Sequence, residues 1–486
     1  MYGDKVIRDS VHGNIVVPKN YVKCILDTPF FQRLRRIEQT SVRAIYPSAR
    51  HDRFIHSLGV YYVGQRIVKH LKPQLRDFNE FTDTQIGEVT ESYLIACLLH
   101  DIAHSPFSHT FEEYYGRKED LYQRLMRVSH LNLQWEPLQI DEVKQHEYAS
   151  AILVAEKFAD SIDNELQGKT DLVCRMIIGA PYRDRNHYHQ ICNCFISLLH
   201  GEVDADRLDY ACRDVWASGY KSVNVDVSRV VHSMHLKRYN NEYRVCFDYN
   251  EIGDIRNIME LKCFQITHVF NHHTIVYDQE LLMNSAEKMA IEIFPALPPH
   301  DALSAIINVD AICGNKEIVF RGISINLQHL CDDDLFFLLK QSNNADFQEY
   351  ASRQYKRFAL WKSPEDFYHM FPDIDKSIDI TENTFKQEIL EPLAEIMDVS
   401  KIWTHEVTYK SRAELEDLPI IIRKEVKKYT EIRHDIFKIE HNPTKFKFTY
   451  LYLPKPDEPD DIDDFRNEII RRIRPVLYRV FAQAAI

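Results

Sequence analysis

Between Leu98 and His109 the chain reads LLHDIAHSPFSH, three histidines and one aspartate in a run that begins as an apolar helix and meets a proline at Pro106. Packing alone seldom crowds imidazoles beside a carboxylate. Neutral ring nitrogens and carboxylate oxygens are the donors that Zn, Mn, Fe, Ni or Co accept, and carboxylates also admit Mg. The His-Asp dipeptide by itself says little, since it also occurs at 51, 300 and 434. Position distinguishes His100-Asp101, because at the end of an apolar helix both side chains can face one cation lying beside it.

Two adjacent residues cannot close a coordination sphere. RFIHSLGV supplies His56 at what reads as a helix start, and GEVDADRLDYACRD supplies several carboxylates. If the latter is helical, Asp206, Tyr210 and Asp214 follow at i+4 steps and share one face. Each residue has an ordinary alternative: a histidine on an apolar helix is more often hydrogen-bonded in a core, and Asp204 and Asp209 read as caps or ion-pair partners. Glu112 follows His109 by three residues, a spacing at which a helical carboxylate orients an imidazole as general acid or base. Arg53, three residues before His56, and Arg207, next to Asp206, place cations near the same point.

Helices must bring these residues together, and the first 300 residues read mostly as helix. ESYLIACLLHDIAH spaces Leu94, Ile95, Leu98 and Leu99 as a helix does, and EYASAILVAEKFAD does the same around Ile152, Leu153 and Phe158. After a helical stretch at DDLFFLLKQS the character changes. PIIIRKEV and KFKFTYLYLP read as strands, the second alternating through Phe446, Phe448, Tyr450 and Tyr452. PKPDEPDDIDD reads as an acidic loop, and FRNEIIRRIRPVLYRVF as a closing helix that Pro475 kinks or divides. The expected architecture is mainly α, with a helical core over residues 1–330 and a smaller C-terminal α+β region over 331–486 that serves regulation or oligomerisation.

Composition bounds the function. With 486 residues, 45% of them apolar, the chain can bury a large core. Only 13 glycines occur, and neither GxGxxG nor GxxxxGK[ST] does, which disfavours dinucleotide and P-loop folds. Ten cysteines without a CxxC pair fit a reducing compartment. A charged N-terminus and the lack of any run near the roughly 20 apolar residues of a bilayer span point to a cytoplasmic protein with no membrane partner. The net charge of −13 argues against nucleic acid as the main partner. Residues 1–60 nevertheless carry ten Lys or Arg against five Asp or Glu, either a solvated face or a pocket for a small polyanion.

The ordered set RFIHSLG, LLHDIAHSPFSH, QHEYAS and GEVDADRLDYACRD resembles the HD-domain phosphohydrolase superfamily. Within it, the likeness over approximately residues 1–330 is to the deoxynucleoside triphosphate triphosphohydrolases, the branch that includes the SAM-and-HD-domain enzymes. The resemblance implies an HD-domain helical core in which His56, His100, Asp101 and Asp206 hold one divalent ion, Mn, Mg, Fe, Ni, Co or Zn. It implies that His104 and His109 face bound phosphates, that Glu112 partners His109 near the reacting phosphate, and that His146 is a further active-site histidine. Arg53, Arg207, Lys262, His272 and His273 would grip the polyphosphate, although Lys262 and His273 stand where the family typically has Arg and Lys. Gln39, Tyr210 and Asp214 match groups near the sugar. Phe270 stands where a tyrosine is usual and Thr40 where an apolar residue crowds the 2′-position, so strict deoxyribose preference is not implied. Asp27, Gln32 and Arg35 match a regulatory nucleotide pocket, while the same stretch also reads as a helix start with Asp27 as N-cap and Pro29 early.

The implied reaction is metal-dependent hydrolysis of (deoxy)nucleoside triphosphates, water attacking the α-phosphate to give a (deoxy)nucleoside and inorganic triphosphate. The resemblance also implies a nucleotide effector and a homo-oligomer, dimer or tetramer. Two alternatives keep the site: a phosphodiesterase or pyrophosphohydrolase of a nucleotide second messenger, and a weakly catalytic nucleotide-sensing module. Alarmone hydrolases of the superfamily carry an acidic pair where this chain has IAHSPFSH, which disfavours the first. The altered Lys262, Phe270 and His273 speak for the second.

Overall fold

The computed structural model describes residues 3–128, 143–220, 225–375, 381–410, 415, 417–432, 445–456 and 462–484. The fold is mainly α, with small sheets. Among the described residues no helix is long and apolar enough to cross a membrane.

Helix α1 (Arg53–Asp77) starts where the Asp52 side chain accepts the Ile55 backbone N–H at 2.9 Å. Helix α2 (Asp83–Leu99) opens on a capping box between Thr82 and Gln85 and runs into His100. The two pack closely, for a Cβ at Gly64 would come within 2.8 Å of Cys97 Sγ. Helix α3 (Gln145–Lys157) carries His146, and α4 (Ala205–Ala217), capped by Asp204, carries Asp206, Tyr210 and Asp214. Helix α5 (Asp332–Gln341) covers the DDLFFLLKQ stretch.

Two compact units share the chain, and they interleave. One comprises Met1–Ile258, Met283–Asn344 and Leu415–His434, and the other Met259–Leu282, Ala345–Glu414 and Asp435–Ile486. The 330/331 boundary expected from composition therefore falls inside the first unit. What carries residues 415–434 into that unit is sheet pairing: Pro419–Ile422 lies parallel to Glu242–Asp248, with Phe247 opposite Ile420. This sheet has the order Glu425–Lys428, Pro419–Ile422, Glu242–Asp248, Met234–Tyr239. The PIIIRKEV stretch is a hairpin whose turn residues Arg423 and Lys424 both take positive φ, 50° and 72°.

The second unit is α+β. Its sheet places Lys445–Pro454 between Arg357–Ala359 and Trp403–Lys410. The alternating aromatics of KFKFTYLYLP set the register, with Phe448 opposite Val407 and Tyr452 opposite Trp403. Ile462–Ala484 is one helix with Pro475 inside it, so the proline does not divide it. Its buried residues Ile469, Ile473, Leu477 and Phe481 form a stripe at i+4 spacing on both sides of the proline, and packing along it supports helix on either side. The expected acidic loop falls partly on residues 457–461, outside the described residues. Trp361 is fully buried in this unit's core and donates its indole N–H to Thr449 O at 3.0 Å. Trp361→Ala is expected to destabilise the second unit by about 3–5 kcal/mol, read as a lower denaturant midpoint for that unit's transition.

Candidate active site

The end of α2 and the starts of α1 and α4 bring His56, His100, Asp101 and Asp206 together. One nitrogen each of His56 and His100 and a carboxylate oxygen of Asp101 lie within 4.8 Å of one another. Asp206 Oδ1 lies 3.0 Å from His56 Nε2 and 3.6 Å from His100 Nε2. The tautomers are set from behind. His56 Nδ1 donates to Asp209 Oδ2 at 2.8 Å and His100 Nδ1 to the Cys97 carbonyl at 3.1 Å, so both Nε2 lone pairs face the cluster. Both Nε2 atoms are buried and find no hydrogen-bond partner among the described residues. Two imidazoles and two carboxylates, with nitrogens orphaned toward one point, fit a divalent cation. Without one, burial disfavours a charged His56, but Asp206 and Asp209 outweigh it and hold the imidazole up to about 10.

Asp209, whose sequence position read as a cap or ion-pair partner, is an ion-pair partner that also orients a candidate ligand. It sits fully buried on α4 one turn beyond Asp206, against the other nitrogen of His56, accepts from Arg213 Nε and Nη2 at 2.8 Å each, and meets His12 Nε2 at 2.6 Å. Arg213 also donates to both oxygens of Asp9, whose Oδ2 in turn accepts the backbone N–H groups of Val11 and His12. The N-terminal hairpin, strands Lys5–Asp9 and Gly13–Val17, thereby holds the Asp209–Arg213 pair, its turn closed by Gly13 at φ 81°. The glycine of RFIHSLG has the same cause: a Cβ at Gly59 would stand 2.0 Å from Asp209 Oδ1 and 2.4 Å from Arg213 Nη2. An i,i+4 Asp-Arg pair on the apolar side of α4 was the available signal for Asp209. Its link to His12 across the fold had none.

On the other side of Asp101 stand three more imidazoles. Asp101 Oδ2 faces His56 and His100 at 3.5 and 3.4 Å, while Oδ1 faces His104 Nε2 at 3.3 Å. His104 stacks on His146 with centroids 4.3 Å apart, and one nitrogen each of His104, His109 and His146 lie within 4.8 Å of one another. Glu112 joins two of them: its Oε2 lies 2.7 Å from His109 Nδ1 and its Oε1 2.7 Å from His146 Nδ1. Burial would raise the Glu112 carboxyl, but His146 and His109 hold it well below the usual carboxylate range. Burial and the Arg53 charge keep His104 neutral. Arg53, 3% exposed, donates Nη1 to Asp101 Oδ2 at 2.6 Å.

The remaining expected residues divide. Gln39 is buried, its carbonyl accepts from Arg53 Nη2 at 3.2 Å, and its Oε1 has no hydrogen-bond partner among the described residues. Arg207 donates to the Glu202 carbonyl at 2.8 Å. Asp214 pairs with His51 Nε2 at 2.7 Å, so of the other His-Asp dipeptides the one at 51 supplies this contact and, through Asp52, the α1 cap. The dipeptide at 434 lies outside the described residues. Lys262, Phe270, His272 and His273 lie in the second unit. There burial, His272 and Lys362 push His273 down to about 4, and burial lowers His272, so both rings are neutral at pH 7. Asp27 is not the cap of its helix; Thr28 is, accepting the Phe31 N–H, because Asp27 is occupied by Lys5 Nζ at 2.6 Å. Gln32 Oε1 accepts from Arg35 Nε at 3.0 Å, and the Arg35 guanidinium lies 3.5 Å from the Phe54 ring centroid.

The HD domain family model matches residues 53–179. The chain is 28% identical over 373 residues to an HD domain-containing protein of Acanthamoeba polyphaga mimivirus, covering 72% of each. It is 30% identical over 272 residues to the deoxynucleoside triphosphate triphosphohydrolase SAMHD1 of Gallus gallus, covering 54% of this chain and 42% of that protein. The match thus spans less than half of that relative. A phosphohydrolase crystal structure from Bacteroides thetaiotaomicron shares the fold at a TM-score of 0.61 and 23% identity, over 93% of this chain and 100% of that one.

Two outcomes follow for the cation set. Asp209→Asn removes the carboxylate that orients His56 and is expected to weaken Mn binding by about 10–100-fold, measured by titration of the metal-free protein. A ligand imidazole must be neutral, so binding displaces the His56 proton, and Mn affinity is expected to rise from about pH 6 to about pH 8 with proton release measurable calorimetrically.

Proposed function

From a chain that carries an HD domain over residues 53–179 and is similar to deoxynucleoside triphosphate triphosphohydrolases, we infer a metal-dependent phosphohydrolase that converts (deoxy)nucleoside triphosphates to (deoxy)nucleoside and inorganic triphosphate. The observation that carries this reading is the two-sided setting of Asp101, with an apparent cation set on Oδ2 and an imidazole trio on Oδ1. A divalent ion held by His56, His100, Asp101 and Asp206 would supply Lewis acidity and lower the pKa of water.

The chain's own groups do the rest. Arg53 and Arg207 neutralise phosphate oxygens, Arg53 exchanging its Asp101 partner for substrate. His109, held at Nδ1 by Glu112, presents Nε2 to the departing 5′-oxygen as proton donor; burial pushes this imidazole down to about 4 against the pull of Glu112, so the shared carboxylate offsets only part of the cost of the imidazolium that precedes transfer. His146, held by the same carboxylate, and His104 stand beside His109 and would face the same phosphate. Tyr210, Asp214 and Gln39 would meet the sugar. Lys262, His272 and His273 belong to the second unit, and two of the three are neutral imidazoles there. Asp27, Gln32 and Arg35 would form the nucleotide effector site of this reading, where Asp27 now pairs with Lys5 and Arg35 with Gln32.

With Mn and a panel of nucleoside triphosphates, wild type is expected to release inorganic triphosphate, Asp206→Ala to lose turnover altogether, and His109→Asn to lose about 10²–10⁴-fold in kcat. Release of pyrophosphate or a linear dinucleotide would move the assignment to a second-messenger hydrolase, and equal residual activity in wild type and Asp206→Ala would remove the catalytic reading.

A further inference from the structure

One buried carboxylate belongs neither to the cation set nor to the imidazole trio. Asp332, the first residue of α5, is 6% exposed and divides its two oxygens between segments distant in sequence. Oδ1 accepts the Phe107 backbone N–H at 2.7 Å, and Oδ2 accepts the Glu38 backbone N–H at 2.9 Å. Both segments need holding. Phe107 and Ser108 are consecutive non-glycine residues in the left-handed region, at φ 57° and 51°, a conformation that persists only where the surroundings over-determine it. Ser41 Oγ donates to Phe107 O at 3.1 Å, and Ser108 Oγ donates to Glu38 O, closing the two segments on each other.

Arg53 is fixed by what this closure presents. Its Nε donates to Ser108 Oγ at 2.9 Å and its Nη2 to Gln39 O at 3.2 Å, leaving Nη1 aimed at Asp101 Oδ2. One acceptor comes from the residue after Phe107, the other from the residue after Glu38. Each oxygen of Asp332 therefore holds the backbone next to one of the two groups that orient the guanidinium. The same stretch is braced a second time, since Arg33 donates to the carbonyls of Leu330, Ile102 and His104.

We propose that Asp332 is a positioning residue which, through the Phe107–Ser108 and Glu38–Gln39 backbone, sets the Arg53 guanidinium against a phosphate group of the substrate. What Arg53 meets rests on the phosphohydrolase reading above; the clamp itself does not. Asp332→Asn keeps the size of the side chain but turns an NH₂ toward one of two backbone N–H donors. By hydrogen-exchange mass spectrometry it is expected to speed exchange about tenfold over residues 37–41 and 105–110 while Thr170–Ile178 stays unchanged. Unchanged exchange in those two segments, or an equal rise everywhere, overturns the proposal. In Mn-supplemented turnover with a nucleoside triphosphate, the variant is expected to raise KM by about tenfold with a smaller change in kcat, and to raise KM no further when added to Arg53→Ala. Additive effects in that cycle overturn the route through Arg53. Should wild type turn over no triphosphate, the assigned reaction falls alone, and the exchange experiment still decides the clamp.

Discussion

An imidazole can accept a cation only if one nitrogen is bare, and the fold spends much of its buried polarity on meeting that condition. His56 is held in the right tautomer by Asp209, a carboxylate that could not stay charged in the core without Arg213, and Arg213 is balanced in turn by Asp9. The chain of contacts runs from the N-terminal hairpin through α4 to α1. It leaves no room for a side chain at Gly59, which ties a motif glycine to electrostatics rather than to backbone freedom.

Asp101 divides the site into halves of different chemistry. Burial alone would raise its carboxyl, but His100, Arg53 and His104 hold it well below the usual range, so it stays anionic between two groups of imidazoles. On one side the rings point lone pairs at a common centre. On the other, Glu112 holds two rings by their Nδ1 atoms and leaves the remaining nitrogens facing inward. Ionised acids and imidazoles packed together in a low-dielectric interior are costly for stability, which is characteristic of a region shaped for binding and proton transfer.

Much of this was legible from residue spacing. Helical periodicity located α2 and α3, the i+4 run put Asp206, Tyr210 and Asp214 on one helix, and the His109–Glu112 interval foretold their contact. What stayed hidden depended on residues that meet only in three dimensions. Glu112 also reaches His146, 34 positions away, and Asp332 reaches Phe107 across 225 positions, and no periodicity encodes either. Local rules also competed: Asp27 has the chemistry of an N-cap, but Lys5 takes it and Thr28 caps instead. Pro475 ought to end a helix, yet the apolar stripe from Ile469 to Phe481 outweighs one missing hydrogen bond.

The parallel pairing of Pro419–Ile422 with Glu242–Asp248 has a consequence for biosynthesis. A ribosome delivers the Glu242–Asp248 strand long before its neighbour, and two of the three pieces of the α+β unit are made in between. During that interval the strand has one bare edge, the kind of surface that recruits holdase chaperones or pairs with the wrong chain. Completion of the unit that houses the imidazoles thus waits until residue 422 has been made.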